Sequence, residues 1–411
     1  MVTEDLPVIH VAIPAYNEAD YIPRTIQCLQ EQNIDGFHTW VCVNQPDEFH
    51  QISEKKGIVE NNQATLSWLK ICNLSHLHII DRSSPGKGWK NCAEGVGMAR
   101  KVLMDEIAQN ASNHDIILSM DADTIFNSGY IRSVAEIFKE HPVAAGLSNP
   151  YYHPLISNAT INRAMLRYEI YMRYYALNMR FAGTPYHFTP LGSAMAAPVW
   201  AYKKVNGMTP KKSGEDFYFL QKIAKSGILL KYNTEIVYPA TRLSDRVFFG
   251  TGPALMKGIR QGWGAYPLFH LQSFEKVKKT ISLFPELMRQ PKSTPMDDFF
   301  SVHFKKDDIF EPLRKNHKNQ LRFIKACHEK VDGLRILQFL KSEQSLSDTT
   351  DEQNLMHFFL NYFPKAPVMK SVKNLNFLRT DVETIDKIRN FLFKEELEIQ
   401  RKNAGYEYQS L

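Results

Sequence analysis

The chain has little cysteine. Its 411 residues include five cysteines, an odd number, and no two of them form a Cys-x-x-Cys pair. That spacing fits neither a zinc site nor a disulfide framework, so we expect reduced thiols in a cytosolic protein. Long apolar runs are also missing, since none approaches the roughly 18 residues of a transmembrane helix. The N-terminal sequence is acidic at once and has only a short apolar run, so we expect no signal peptide.

A strong charge of one sign is missing as well. The sequence has 50 Lys and Arg against 44 Asp and Glu, a formal net charge of +6, and its basic residues are not gathered into one long run. We therefore expect no nucleic-acid partner. Gly and Pro number 20 and 21, far below a fibrous or low-complexity level, and apolar residues make up 44%. The composition is that of a globular protein, and the length suggests about two domains.

Two nucleotide-binding signatures are absent. The P-loop pattern Gly-x-x-x-x-Gly-Lys-Ser/Thr does not occur. The Gly-Val-Gly at 95–97 lacks the third glycine of a dinucleotide fingerprint and lies inside a helical pattern, and the Gly-Thr-Gly at 250–252 does not follow the first strand. The sequence therefore indicates neither a P-loop nor a dinucleotide-binding fingerprint.

Strands and helices alternate in the first half. Short apolar runs predict buried strands over 8–13, 40–43, 77–80 and 116–120, and helical spacing predicts helices over 22–29, 63–69 and 89–108. This alternation is typical of a parallel sheet, which binds ligands at the carboxyl ends of its strands. We therefore expect the functional residues in the loops after these strands, which begin at Pro14, Asn44, Asp81 and Asp121.

The second half is helical. A long basic and aromatic helix is predicted over 155–182, and after about residue 272 the chain becomes charged and helical, with no obvious strands. We expect a domain of residues 1–272 and an all-helical domain of residues 273–411. The 155–182 helix has two interpretations: it packs on the sheet, which we favour, or its arginines attach it weakly to an anionic membrane surface.

The most informative motif is Asp121-Ala122-Asp123, directly after the fourth strand. Residues i and i+2 of an extended segment point to the same face, where two carboxylates repel each other unless a cation joins them. Mg²⁺ or Mn²⁺ prefers such oxygen ligands and keeps positions open for phosphates. The alternative is a turn that simply ends the strand, since Asp is common in turns.

Three further segments carry polar groups at strand or helix ends. Glu215 and Asp216 open a helix, either as cap and dipole partners or, for Asp216, as a general base. The loop from Pro14 to Glu18 precedes a helix N-terminus, which suits phosphate or nucleotide contact. The loop over 85–90 offers a cation, Lys87.

The order of these pieces resembles a family 2 glycosyltransferase with the GT-A fold. The segments are PAYNEADYI after the first strand, then DADT, then GSAMAAPVWAYKKVNGM and GEDFYFLQK, and the resemblance covers about residues 7–260. It implies an α/β fold, a Rossmann-like, mostly parallel sheet flanked by helices, here followed by the smaller all-helical C-terminal domain. It also implies an inverting hexosyltransferase that takes a nucleotide-sugar donor.

The resemblance also implies roles for individual residues. The first-strand loop, here Pro14, Ala15, Tyr16 and Glu18, would hold the base. Asp121 would lie near the ribose, and Asp123, with Asp121, would hold the metal on the diphosphate. Gly192 and Ser193 would contact sugar or acceptor. Asp216 would be the catalytic base, with Glu215 beside it.

The sequence departs from the family pattern at two places. The loop after the second strand usually offers an acidic residue, but here Asn44 stands there and would hydrogen-bond the base edge instead. The QxxRW motif of processive synthases is absent, and a segment from Arg242 to Gly252 replaces it. We therefore expect single transfers, with Arg246 either steadying the diphosphate or forming a structural ion pair with Asp245.

The expected function is transfer of a sugar from a UDP- or GDP-sugar to a glycan or lipid-linked glycan, with Mg²⁺ or Mn²⁺ as cofactor. We hypothesise peripheral contact with the inner membrane face and a homodimer. Three alternatives stay open: a nucleotidyltransferase, a non-catalytic module that binds sugar nucleotides or glycans, and a membrane-surface scaffold. The first is disfavoured because PAYNEADYI has no glycine, and the second because Asp121, Asp123 and Asp216 are all present.

Overall fold

The structure is a computed structural model that describes residues 6–90, 95–211, 214–243, 251–345 and 348–403. The chain divides into two units. The first takes the chain up to Ile161 and again Pro190–Met256, and the second takes Asn162–Thr189 and Lys257–Ile399. The domain boundary at residue 272 stays a prediction.

The strands of the described chain are short and mostly buried. They are β1 (Ile9–Ala15), β2 (His38–Asn44), β3 (Leu77–Arg82), β4 (Ile116–Ser119), β5 (Thr124–Phe126), β6 (Ala144–Ser148), β7 (Met195–Pro198), β8 (Ile228–Leu230) and β9 (Val237–Pro239).

The helices range from one turn to six turns. They are α1 (Ile22–Gln30), α2 (Lys56–Ile71), α3 (Val96–Asn110), α4 (Tyr130–Glu140), α5 (Ala159–Phe181), α6 (Val199–Lys204), α7 (Glu215–Ser226), α8 (Thr251–Gln261), α9 (Leu271–Ser282), α10 (Phe284–Leu287), α11 (Asp297–Phe304), α12 (Glu311–Asn316), α13 (Gln320–Lys330), α14 (Gly333–Gln344), α15 (Asp351–Tyr362), α16 (Met369–Lys373) and α17 (Val382–Asn403). Two 3₁₀ helices, Asp47–Gln51 and Ser53–Lys55, lie between β2 and α2.

The first unit is organised around a seven-stranded sheet with the order β3-β2-β1-β4-β7-β6-β8. Neighbouring strands are parallel except at β7, which runs antiparallel to both β4 and β6. Strands β5 and β9 form a separate antiparallel pair. All seven residues of β1 are buried, as expected of a parallel strand that is covered on both faces. The predicted fold class, a mostly parallel α/β sheet with flanking helices and a helical C-terminal region, is confirmed.

The four predicted strands correspond to β1, β2, β3 and β4. The helix predicted from residue 89 begins only at Val96 in the described chain. Trp89 is held in an extended bridge instead, because its N–H donates to the carbonyl of Gln45 and its carbonyl accepts from the N–H of Asp47, both at 2.9 Å. The antiparallel strand β7, which has only four residues, was not among the predicted strands.

Helix α5, in the stretch predicted to be basic and aromatic, buries two of its arginines. Arg167 donates to Asp351 at 2.5 Å, and Arg173 donates to Glu169 and Glu396, both at 2.6 Å. Arg167 and Arg173 are at most 2% exposed. These two arginines are paired with carboxylates inside the second unit. The packing of this helix on the sheet and its contact with a membrane both stay predictions.

The later part of the described chain is helical, since every element after β9 is a helix. No helix among the described residues combines the length and the apolar character that crossing a membrane requires. The described cysteines, Cys28, Cys42, Cys72 and Cys327, are free thiols. The cytosolic location stays a prediction.

Candidate active site

The predicted functional loops lie at one edge of the sheet. Strands β3, β2, β1 and β4 are neighbours and run parallel, so their carboxyl ends meet at that edge. Pro14 and Ala15 belong to β1 itself and are buried, so the strand continues one residue past the proline that was expected to close it. Tyr16 follows with intermediate exposure and Glu18 is buried.

The loop after β1 is held by helix α2. Asn17 has a positive φ of 58°, a conformation that asparagine tolerates better than most residues. Its N–H donates to the side chain of Asn62 at 2.8 Å, and the N–H of Ala19 donates to the side chain of Asn61 at 3.0 Å. These two asparagines fix the backbone that carries Tyr16 and Glu18, a role that no sequence pattern indicated.

Glu18 and Asp123 share one arginine, Arg242. Its Nη2 donates to the two carboxylate oxygens of Glu18 at 2.6 and 2.9 Å and lies 2.5 Å from Oδ2 of Asp123. The guanidinium also stacks over the ring of Tyr21, 4.0 Å from its centroid. We call Glu18, Tyr21, Asp123 and Arg242 the Arg242 cluster. Burial acts to lower the pKa of Arg242, but the two carboxylates together raise it above its ordinary value, so Arg242 is charged at every physiological pH.

Strand pairing brings Arg242 to this place. In the β5–β9 pair, Thr124 lies opposite Pro239, so Asp123 and Arg242 leave the pair at the same end. The hydroxyl of Thr241 donates to the carbonyl of Pro154 at 2.6 Å and fixes the backbone just before the arginine. Backbone contacts within the first unit therefore hold Asp123 and Arg242 close to each other.

Asp121 and Asp123 do not follow the extended geometry expected of them. Strand β4 ends at Ser119, and the N–H of Thr124 donates to the carbonyl of Asp121 at 3.2 Å, which closes a turn. The hydroxyl of Thr25 anchors this turn by donating to the carbonyls of Ala122 and Thr124, at 2.8 and 3.0 Å. Because the segment turns, the i and i+2 carboxylates meet different partners: Asp123 meets Arg242, and Asp121 meets Arg100.

Arg100, on α3, joins the second set of acidic residues. Its side chain is 4% exposed, and it donates through Nη2 to Asp121 and through Nη1 to Glu215, the latter at 3.0 Å. We call Arg100, Asp121, Gly192 and Glu215 the Arg100 cluster. It connects the turn after β4 to the N-terminus of α7, two segments that the sequence predicted to carry chemistry.

Burial shifts the proton affinity of the acidic pair at the start of α7. Desolvation raises the pKa of Glu215 to about 7, although the Arg100 charge acts in the opposite direction. Desolvation also raises the pKa of Asp216, again against Arg100. Glu215 is 4% exposed, whereas Asp216 has intermediate exposure and accepts the N–H of Phe217 at 2.7 Å. Asp216 is therefore the more exposed residue of the pair as a whole, although desolvation of its carboxyl group shows that protein surrounds that group.

Gly192 and Ser193, the predicted acceptor residues, precede β7. A Cβ on Gly192 would collide with the guanidinium of Arg100, so any other residue here would require that side chain to move. The carbonyl of Gly192 accepts the hydroxyl of Ser119 at 2.7 Å. Ser193 is fully buried, and its hydroxyl has no hydrogen-bond partner within the described chain. Gly192 thus contributes to the site by leaving space for the side chain of Arg100. Acceptor contact stays a prediction for both Gly192 and Ser193.

Asn44 and Lys87 are both engaged in the protein. The side-chain amide of Asn44 donates to the carbonyl of Ala15 at 2.9 Å and accepts the indole N–H of Trp89 at 3.1 Å. Lys87 donates to Asp81 at 3.0 Å, and its side chain is 60% exposed. Asn44 therefore ties β1 to the loop that carries Lys87, and its contact with a base stays a prediction. Arg246 lies outside the described residues.

The residues present do not fit a divalent cation in this arrangement. Within the described ranges, no three His, Cys, Asp or Glu side chains come together as a metal-holding group. Asp121 and Asp123, the predicted ligands, are each paired with an arginine. Their carboxylate chemistry suits Mg²⁺ or Mn²⁺, but the positive charge beside each one does not. The cofactor stays a prediction.

Sequence reasoning missed the two arginines at the centre of the site. Arg100 lies within a helix, where arginines are common, and its partner Glu215 is 115 residues away. Arg242 opens the segment that replaces QxxRW, which was the one available signal. Only the three-dimensional structure shows that these two arginines separate the carboxylates into two clusters.

Comparisons with known proteins give low similarity. No protein-family model matches the sequence, and no curated protein sequence matches it. The structure is similar to S. aureus TarS 1–349 in complex with UDP-GlcNAc at 14% identity and a TM-score of 0.39, covering 96% of this chain and 92% of that one. For the mannosyltransferase PcManGT from Pyrobaculum calidifontis, with GDP-Man and Mn²⁺, the values are 14%, 0.36, 97% and 87%. For GalNAc-T7 with UDP, GalNAc and Mn²⁺ they are 14%, 0.37, 80% and 58%. Likeness at this level carries no argument about the chemistry of this chain.

Proposed function

We propose that this chain is a glycosyltransferase that moves a sugar from a nucleoside-diphosphate donor to a hydroxyl acceptor. One observation carries the proposal: Arg100 joins Asp121, at the carboxyl edge of the sheet, to Glu215 at the start of α7. A donor bound at the edge and a base on α7 would then lie on two sides of one buried charge. The resemblance of the ordered motifs to family 2 glycosyltransferases supports the same chemistry.

Asp216 is the group we assign as general base. A base must reach the acceptor hydroxyl, and Glu215 is held by Arg100, whereas Asp216 is the more exposed residue of the pair. Its raised pKa brings its proton affinity nearer to neutral pH, where a base works best. Glu215 is bonded to Arg100 and holds the start of α7 in place. Gly214 precedes it with a φ of 76°, a conformation that favours glycine.

The proposed reaction is a direct displacement. The acceptor oxygen attacks the anomeric carbon while the bond from that carbon to the diphosphate oxygen breaks, and Asp216 takes the acceptor proton. The leaving diphosphate gains negative charge, and cationic side chains at the edge of the sheet, such as Lys87, would stabilise it. Attack from the face opposite the leaving group inverts the anomeric centre.

The finer assignments are proposals from the sequence. The donor is a UDP- or GDP-hexose, bound through the loop after β1, and the acceptor is a glycan or a lipid-linked glycan. Transfer is single because the QxxRW motif is absent. Peripheral membrane contact goes with the lipid-linked acceptor, and a homodimer would form through the helical C-terminal domain.

A donor panel tests the proposal. The purified full chain is heated with UDP-, GDP- and dTDP-sugars, and a ligand at 100 times its dissociation constant should stabilise the fold by about 2.7 kcal/mol. The stabilising donor is then incubated with the protein, and free nucleoside diphosphate is measured. We expect its release above the uncatalysed rate.

Other outcomes of the panel would overturn the proposal. Binding without release would indicate a module that only binds sugar nucleotides. In a separate incubation with a nucleoside triphosphate and a sugar phosphate, release of inorganic diphosphate would indicate a nucleotidyltransferase. Stabilisation by no donor would leave the Arg100 cluster as a purely structural ion pair.

A further inference from the structure

We propose that Arg242 supplies the positive charge at Glu18 and Asp123, and that any divalent cation binding Asp123 must displace this arginine. The inference deepens the proposed function and rests on it for the identity of the site. It concerns the residues of this chain, and it disagrees with the cation site that the Asp121-Ala122-Asp123 motif predicts.

Arg242 makes short, charge-assisted contacts with two carboxylates. One guanidinium nitrogen reaches both oxygens of Glu18 and one oxygen of Asp123, all within 2.9 Å. The three side chains are 7 to 16% exposed, so water screens the charges only weakly. Such charge-assisted hydrogen bonds are the stronger class in proteins.

The fold holds Arg242 in this position. The β5–β9 pairing places the backbone of Arg242 near the start of β5, directly after Asp123. The ring of Tyr21 stacks on the guanidinium plane. Thr25 fixes the turn that carries Asp123. The fold alone therefore holds the arginine at these contacts, so Arg242 competes effectively with a cation for Asp123.

The neighbouring carboxylate gives a cation no second ligand. Asp121 is bonded to Arg100, which is buried and also holds Glu215. A hard divalent cation needs several oxygen ligands at once. To gain both aspartates, a cation would have to break two arginine contacts and then lie close to two positive guanidinium groups.

Mn²⁺ alone is the probe. The full chain is titrated with Mn²⁺ in the absence of nucleotide, and free Mn²⁺ is measured from its electron paramagnetic resonance signal. Wild type is compared with Arg242→Gln, and with Arg24→Gln as a control that removes the same charge from an exposed position of the same unit. We expect Arg242→Gln to bind Mn²⁺ at least tenfold more tightly than wild type and Arg24→Gln to equal wild type.

Equal Mn²⁺ affinity in wild type and Arg242→Gln, whether weak or tight, would overturn the inference. Asp123→Asn added to Arg242→Gln should remove the gain, and a gain that persists would also contradict it. If Arg242→Gln does not fold, Arg242→Lys takes its place, and we expect a smaller gain because lysine keeps the positive charge but not the planar guanidinium that stacks on Tyr21. Since no sugar donor is present, these results stand apart from the donor panel, whose failure would overturn the proposed function only.

Discussion

Replacing Arg100 with methionine removes the buried charge that joins the two halves of the site. Glu215 would keep a side chain only 5% exposed but would lose its partner. Breaking one side of a buried ion pair costs about 3–5 kcal/mol. Asp121 is 36% exposed, so its share of the loss is at most about 1 kcal/mol. We therefore expect Arg100→Met to lower the free energy of unfolding by about 3–5 kcal/mol at pH 8.

The loss should depend on pH, in a direction that follows from Glu215. Burial raises the pKa of Glu215 in the folded protein to about 7, above its unfolded value, so stability falls as pH rises between those two values. Without Arg100 the pKa of Glu215 rises further, and the fall continues beyond pH 8. From pH 6 to pH 8, wild type loses about 1.4 kcal/mol and the variant up to about 2.7 kcal/mol through this group. The deficit of Arg100→Met should thus shrink by about 1.4 kcal/mol at pH 6.

Urea unfolding followed by tryptophan fluorescence measures this loss of stability in the first unit, which contains Arg100. Four of the five tryptophans, Trp40, Trp68, Trp89 and Trp200, belong to the first unit. Lys101→Met is the control, because Lys101 lies next to Arg100 and pairs with Asp105 at the surface. A deficit below about 1 kcal/mol at pH 8, or one of equal size at both pH values, would refute the reasoning. The pH effect should also vanish when Glu215→Gln is added to Arg100→Met.

The remaining predictions concern packing and a buried network. Gly192→Ala should destabilise the protein by about 1–3 kcal/mol in thermal unfolding, because its Cβ meets the Arg100 guanidinium. Ser193→Ala should be close to neutral in the same assay, because the serine hydroxyl has no hydrogen-bond partner in the described chain. A neutral Gly192→Ala would contradict the contact. Glu169→Gln should cost about 3–5 kcal/mol because it weakens the pairing of the buried Arg173 and Arg389. Glu383→Gln, which breaks an exposed pair with Lys387, should leave the stability almost unchanged. Equal costs of the two substitutions in the same assay would show that burial does not matter there.

The sheet could be predicted because its central strands are buried on both faces. Continuous apolar runs such as that of β1 give a strong signal, and the position of the loops at the carboxyl edge follows from parallel pairing. Strand β7 gave no such signal, because four residues that continue into α6 are too few to show a period. Its antiparallel direction is set by pairing with β4 and β6, which sequence spacing does not show.

The acidic residues of the site could be predicted, but their partners could not. Asp121, Asp123, Glu215 and Asp216 stand at the ends of elements, where their types are informative. Their partners were invisible, because an arginine within a helix is ordinary until its contact 115 residues away is known. The expected common face of Asp121 and Asp123 also failed, because a backbone hydrogen bond turns the segment after β4.

Two aspartate variants test the proposal that Asp216 is the base of a sugar transfer. Turnover and donor affinity are measured for wild type, Asp216→Asn and Asp298→Asn, a control at the same position of another helix, α11. Asp216→Asn should bind the donor as wild type does and lose turnover by about a hundredfold or more, while Asp298→Asn changes neither. Wild-type turnover in Asp216→Asn, or unfolding without a separate effect on rate, would show that Asp216 only caps α7.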